Sequence, residues 1–153
     1  MEIMKEAEPL EKILGDHPFL KDLKPEHLQF MVECASEVYF NAGEPILYEG
    51  KEADRLYLIL QGTVALGTFI PGRGLVTIET LDDGKVLGWS WLIPPHHWHF
   101  NAIAIMPVWA VAFDGKRLRE KCETEHDFGY ELLKRLAFVV GERLRMTRRR
   151  LEV

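Results

Sequence analysis

Between Ser36 and Phe113 no apolar run lasts beyond a handful of residues before a glycine, a proline or an Asp/Asn turn stops it. That punctuation leaves no room for long helices in the middle of the chain and demands short strands joined by tight turns. Val38 and Phe40 alternate with polar neighbours, and Asn41-Ala42-Gly43 breaks the run. Ile46 and Tyr48 follow, then Gly50. Leu56–Leu60 is a compact apolar strand closed by Gln61-Gly62, and Val64-Ala65-Leu66 resumes at once. Pro71-Gly72-Arg73-Gly74 reads as a hairpin tip with Leu75–Leu81 returning. Asp82-Asp83-Gly84 is a further turn, and Ala102–Ile105 and Trp109–Phe113, divided by Met106-Pro107, read as a last pair of strands. Short strands at even spacing predict a small antiparallel barrel or jelly roll.

The flanks have a different period. Pro9–Leu14 carries apolar residues at helical spacing and stops at Gly15, and Pro25 occupies a first helical position ahead of Leu28, Phe30, Met31 and Cys34. After the strands, Arg117–Cys122 reads as a short helix and His126–Leu151 as a long one. Phe128, Leu132, Leu136, Val139, Val140, Leu144, Thr147 and Leu151 lie near one side of that helix, a stripe wide enough both to cover the barrel and to meet a partner. Gly141 weakens it by roughly 1 kcal/mol relative to Ala. The expected organisation is one domain over residues 1–153, with N-terminal helices in 1–35, a β-roll in 36–114 and C-terminal helices in 115–153.

Composition narrows the function. The formal net charge of −5 argues against non-specific binding to nucleic acid. One basic cluster, Glu142–Val153 with its five arginines, reads as a solvated face near a helix C-terminus. No apolar run approaches the ~18 residues a membrane span needs, and the opening MEIMKEAEPLEK lacks a signal-peptide apolar region. A cytoplasmic protein without membrane contact is expected. Cys34 and Cys122 belong to no CxxC pair and read as ordinary buried or half-buried thiols.

The chemistry-bearing stretch is Leu87–Ala104, LGWSWLIPPHHWHFNAIA, which holds three of the four tryptophans and three of the six histidines. Of His96, His97 and His99, only the last two share a face of an extended segment, and no Cys or carboxylate lies within the stretch to complete a metal shell. No metal site is expected. No Ser–His–acid order, paired carboxylates or nucleophile elbow points to an enzyme. Trp89, Trp91, Trp98 and Phe100 could line an aromatic pocket, or fill one.

The segment NAGEPILYEGKEADRLYLILQGTVAL resembles the front half of a cyclic-nucleotide-binding domain, the β-roll module of the catabolite activator and FNR-type bacterial regulators, protein kinase A regulatory subunits and cyclic-nucleotide-gated channels. The likeness rests on Gly43, Ile46, Gly50, the Leu56-Tyr57-Leu58-Ile59 strand, and Gly62 before Val64. It runs from about Phe19 to the last helix, which is similar to the regulators' dimerisation helix and so implies a homodimer. The regulators continue into a helix-turn-helix domain; this chain ends at the long helix, so direct DNA binding is not expected.

The resemblance makes Leu87–Ala104 the counterpart of the phosphate-binding cassette, in which a glycine is followed by Glu, a short helix and an Arg-Ser/Thr-Ala run. Gly88 is present and Asn101-Ala102 stands at the end of the motif, but the glutamate position is Trp89 and the arginine position Phe100. Sliding by one residue offers Ser90 and His99 instead. Burying a phosphate without its charged partner forfeits roughly 3–5 kcal/mol, about two to four orders of magnitude in affinity. The expected ligand-lining residues are Gly88, Trp89, Ser90, Trp91, Phe100 and Asn101, for a cyclic nucleotide or another small ligand, with Tyr57 and Ile59 leaning towards core. The implied function is a non-enzymatic sensory or regulatory module acting on a separate effector protein. Two alternatives stay open: a ligand-free scaffold with a collapsed aromatic pocket, and a cAMP binder that compensates through Ser90, His99 or Arg73.

Overall fold

The computed structural model describes residues 9–151. The opening segment MEIMKEAEPLEK lies mostly outside this range, so the expected lack of a signal peptide falls outside the described residues, as do Glu152 and Val153 of the basic cluster. Helices α1 (Leu10–Asp16) and α2 (Pro25–Glu33) precede eight strands: β1 (Ala35–Phe40), β2 (Pro45–Leu47), β3 (Arg55–Gln61), β4 (Val64–Ile70), β5 (Gly74–Leu81), β6 (Val86–Leu87), β7 (Asn101–Ala104) and β8 (Val108–Asp114). Helices α3 (Gly115–Thr124) and α4 (His126–Leu151) close the chain.

The strands form two antiparallel four-stranded sheets, ordered β1-β8-β3-β6 and β2-β7-β4-β5. This is the expected jelly roll, and its wiring corrects one detail. Ala102–Ile105 and Trp109–Phe113 are not a pair: β7 bonds to β2 and β4, while β8 bonds to β1 and β3 in the other sheet. Around Met106-Pro107 the chain passes from one sheet to the other, as it does at Gly62 between β3 and β4. Gly62 has φ +115°, and a Cβ there would lie 2.5 Å from the Pro107 carbonyl oxygen, so the two crossings pack against each other through a missing side chain. Strand β6 is only two residues long, which is why no alternation announced it.

Strands β3 and β8 are buried on both faces, which explains their unbroken apolar sequences. Leu56 and Leu58 of β3, with Val111 and Phe113 of β8, point to one side and join Leu14, Leu20, Met31, Leu118, Phe128, Leu132 and Leu136 from the helices. Tyr57 and Ile59, with Val108, Ala110 and Ala112, point to the other side and pack on Val64, Leu66, Ala102 and Ala104 of the second sheet. The molecule therefore has two apolar layers sharing one sheet. None of the described helices is long and apolar enough to cross a membrane.

Asp114 caps α3, its carboxylate accepting from the N–H groups of Lys116 and Arg117 at 3.0 and 3.2 Å. Helix α4 lies with Phe128, Leu132 and Leu136 in the helical layer. Arg135 fastens it by donating to the carbonyls of Phe19 and Lys21 at 2.6 and 2.9 Å. The expected single stripe divides. Phe128, Leu132, Leu136 and Val139 face the domain, whereas Val140, Leu144 and Leu151, with Tyr130 and Leu133, are exposed. Over a long straight helix the four-residue steps drift around the axis.

His17 is buried between the N-terminal helices and the sheet, with Nδ1 accepting from the Phe19 N–H at 3.1 Å. Burial lowers its pKa below the ordinary 6.5, with the backbone of Ile59 opposing in part. The unfolded chain therefore takes up a proton near pH 6.5 that the folded chain refuses, so stability is fully present above that pH and declines below it. The decline is at most about 1.4 kcal/mol per pH unit from this group. Melting the protein from pH 7.5 to 5.5 should show it, and His17→Asn, which keeps an acceptor, should flatten the slope. An unchanged slope in the variant would remove His17 from the account.

Candidate functional site

Beyond β6 the chain turns through Leu87–Phe100 across the open edge of the roll, and its entry is fixed by Gly88. At φ +93° a Cβ on this residue would meet the Trp98 ring at 2.8 Å and the Arg55 carbonyl oxygen at 3.2 Å. Only glycine lets the Trp98 indole come this close to the backbone there. No helix forms in the stretch; Leu92 N–H closes a turn on the Trp89 carbonyl and His96 N–H another on Ile93. The Pro94–Pro95 bond is cis. The segment is pinned to the preceding loop, Gly50 N–H bonding to the Trp98 carbonyl, Trp98 N–H to Lys51 and Ala53 N–H to His96.

Leu87, Gly88, Trp89, Ser90, Trp98 and Phe100 line a pocket together with Leu47 of β2 and Leu66 of β4. The ninth lining residue is Arg143, from the far end of the chain. Its volume is about 280 Å³ with the open mouth counted, and its enclosed part about 20 Å³. That is room for about one water.

Of the six residues expected to line a ligand, the structure brings Gly88, Trp89, Ser90 and Phe100 together. Trp91 and Asn101 are not among the lining residues. Trp91 is fully buried in the helical layer, and its carbonyl accepts from Arg119 Nη1 at 2.7 Å, tying the segment to α3. Asn101 is buried in β7, where its Oδ1 accepts from the Glu49 N–H at 3.1 Å, a strand-to-loop brace. Tyr57 and Ile59 belong to the inner core. His97 and His99 are exposed, His99 stacked on Trp89 with ring centroids 5.7 Å apart, whereas His96 is half-buried. Arg73 is exposed at the β4–β5 hairpin tip.

Arg143 was not among the candidates, because it sits in a helix some forty residues away and looked like one more member of a basic helix end. Its side chain is 14% exposed. Nη2 donates to the Val86 carbonyl, and Nε stands 3.8 Å from Glu79 Oε1 of β5. Burial lowers its pKa and the Glu79 charge opposes that shift. The guanidinium stays charged at any physiological pH. The lone sequence clue is register: Arg143 continues the inward spacing of Phe128, Leu132, Leu136 and Val139.

A family model, the cyclic nucleotide-binding domain, matches residues 37–125. The chain belongs to that family.

Among curated proteins, a CRP-like cAMP-activated global transcriptional regulator of Mycobacterium tuberculosis is 29% identical over 138 residues, covering 90% of this chain and 60% of its own length. The chain thus spans about 60% of the curated relatives it matches. Among solved structures, a Geobacter metallireducens protein assigned to the cyclic nucleotide-binding proteins superposes with a TM-score of 0.82 at 31% identity, over 90% of this chain and 99% of that one. The regulatory subunit of a cAMP-independent protein kinase A from Trypanosoma brucei shares the fold, with a TM-score of 0.69 and 21% identity over 88% of this chain and 48% of that one.

In this cyclic nucleotide-binding domain the thiols offer no nucleophile. Burial pushes Cys122 up to about 11 and raises Cys34 as well, so both are protonated at neutral pH. The packing of Trp98 on Gly88 gives the site its shape, and Gly88→Ala must both adopt a positive φ and push the indole away. The variant should lose roughly 2–4 kcal/mol of stability by denaturant titration. A loss below about 0.5 kcal/mol would mean the indole does not rest on the glycine.

Proposed function

We propose that the whole chain acts as one non-enzymatic, ligand-sensing regulatory module whose pocket takes an anionic ligand of the cyclic-nucleotide class on Arg143. Trp89 and Phe100 occupy the glutamate and arginine positions of the family's cassette, so the recognition pair is absent in its usual place. Arg143 restores a positive charge to the same cleft from a different element. The observation that carries this reading is a buried guanidinium lining the pocket beside Gly88 and Ser90, with its nearest carboxylate at 3.8 Å rather than in close contact. An anion that reaches it offers shorter, charge-assisted bonds.

Because Arg143 belongs to α4, a ligand that draws it from Val86 and Glu79 acts on the helix as well as on the pocket. Its exposed face has the form of a docking seam. Tyr130, Leu133, Ala137, Val140, Leu144, Thr147 and Leu151 follow one another at alternating three- and four-residue spacing over three heptads. The proposed assembly is a homodimer through this seam, handing the ligand signal to a separate effector protein. Fold alone does not choose the ligand, since the same architecture serves a regulatory subunit of a cAMP-independent kinase.

One observation favours a second reading. The cleft is nearly filled by Trp98, Phe100 and Trp89, as it would be in a ligand-free scaffold built around the same dimer seam.

The two readings separate in a thermal-melt series with cAMP, cGMP, cyclic dinucleotides, AMP and inorganic phosphate. A ligand at 100 times its dissociation constant stabilises by ~2.7 kcal/mol, an upward shift of about 5–10 °C for a chain this size. The sensor reading predicts such a shift with one cyclic nucleotide and its loss in Arg143→Gln. A flat panel, or a shift that survives the substitution intact, contradicts it. For the seam, light scattering at tens of micromolar should give twice the chain mass, and Leu144→Glu should weaken the dimer at least about a hundredfold. A monomeric parent protein would remove the dimer.

A further inference from the structure

We infer that the corner between α2 and the α3–α4 junction is a binding site for a zinc-class divalent cation, held by His27, Glu125 and Asp127. The site is separate from His96, His97 and His99, and it does not depend on the pocket reading. His27 projects from α2, whereas Glu125 and Asp127 flank the first residue of α4. One potential ligand atom from each lies within 4.8 Å of the other two.

The histidine makes this more than a pair of surface carboxylates. Its side chain is 4% exposed, and Nε2 points to Asp127 Oδ2 at 3.7 Å, beyond hydrogen-bond reach. Nδ1 is buried with no partner. Among the described residues neither ring nitrogen has a hydrogen-bond partner, and the ring stands edge-on to Phe128 with centroids 5.2 Å apart. A buried imidazole facing Asp127, with Glu125 in the same 4.8 Å cluster, brings one nitrogen and two carboxylate oxygens to a single corner. With bonds of about 2.1 Å, tetrahedral ligands stand about 3.4 Å apart. The 3.7 Å pair nearly meets that spacing, and the exposed carboxylates have freedom to close the remainder. One nitrogen and two oxygens suit zinc and its neighbours better than calcium or magnesium, which favour all-oxygen shells.

Two lysines share these carboxylates, Lys121 with Glu125 at 2.6 Å and Lys24 with Asp127 at 3.8 Å. Both can yield: Lys24 is mostly exposed, and Lys121 keeps a second anchor over the Phe30 ring at 4.7 Å. Metal on Nε2 leaves the ring proton on Nδ1 without an acceptor, and a missing outer partner of this kind costs about 10- to 100-fold in affinity. A modest, exchangeable site follows, one that staples α2 to the elbow from which α4 departs.

Calorimetric titration of the full chain with zinc chloride, repeated with cobalt chloride while following the visible spectrum, tests the assignment. One equivalent should bind saturably below 100 times the protein concentration used, with a cobalt spectrum of low coordination number. Asp127→Asn and Glu125→Gln, both at exposed positions, should each weaken binding at least tenfold, as should His27→Gln if it folds. His97→Ala with His99→Ala should leave binding unchanged. No saturable binding, or binding lost with His97 and His99 yet retained in Asp127→Asn, overturns the site.

Discussion

The constraint on which this structure depends is that β3 and β8 are apolar on both faces. Leu56, Leu58, Val111 and Phe113 need a cover on one side while Tyr57, Ile59, Ala110 and Ala112 need one on the other. A single antiparallel sheet with a wet face cannot satisfy such strands. The second sheet covers the inner face, and the outer face requires the helices at both ends of the chain. Docking Phe128, Leu132 and Leu136 there fixes the path of α4. Two turns beyond Leu136 that path brings Arg143 to the mouth of the roll. A packing requirement in the core thus places Arg143, the charged group among the described residues that line the pocket.

The electrostatic consequence can be weighed. Removing a guanidinium from water costs several kcal/mol. A carboxylate near 4 Å returns about 4 kcal/mol at an effective dielectric of 20, and Glu79 is the carboxylate at that range. With the Val86 carbonyl the charge is held, at rough balance rather than with a surplus. Under the proposed function a competing anion needs only a modest gain in contact to tip such a group. The Trp91–Arg119 bond adds a second tie between the pocket segment and the helices, through α3. Movement in the segment therefore has two routes to the C-terminal elements.

The roll was legible because strands and turns alternate visibly in the residues, and because Gly43, Gly50 and Gly62 stand where the chain needs positive φ. The exchange of strands between sheets was not legible: β7 and β8 adjoin in sequence, and nothing in their residues says that each pairs elsewhere. Half of the site could be read from its local stretch, where Gly88, Trp89, Ser90 and Phe100 act as neighbours. Trp91 left that group because the chain turns between Trp89 and Leu92 and carries its ring into the helical core, and Asn101 because its side chain braces β7 to the Glu49 loop. Arg143 and the His27 corner were hidden for a shared reason. Each joins residues brought together by the packing of helices, and spacing along the chain gives at most the inward register of Arg143, never the groups it meets.

The central claim is that Arg143 links the pocket to α4. Its most direct test is the Arg143 Nε–Hε resonance, assigned by comparison with Arg143→Gln and followed through a titration with whichever cyclic nucleotide binds. The account predicts a saturable shift of that resonance at the same concentrations that perturb Gly88 and Ser90, accompanied by changes along α4. Binding that moves Gly88 and Ser90 while the Arg143 resonance stays in place would contradict it.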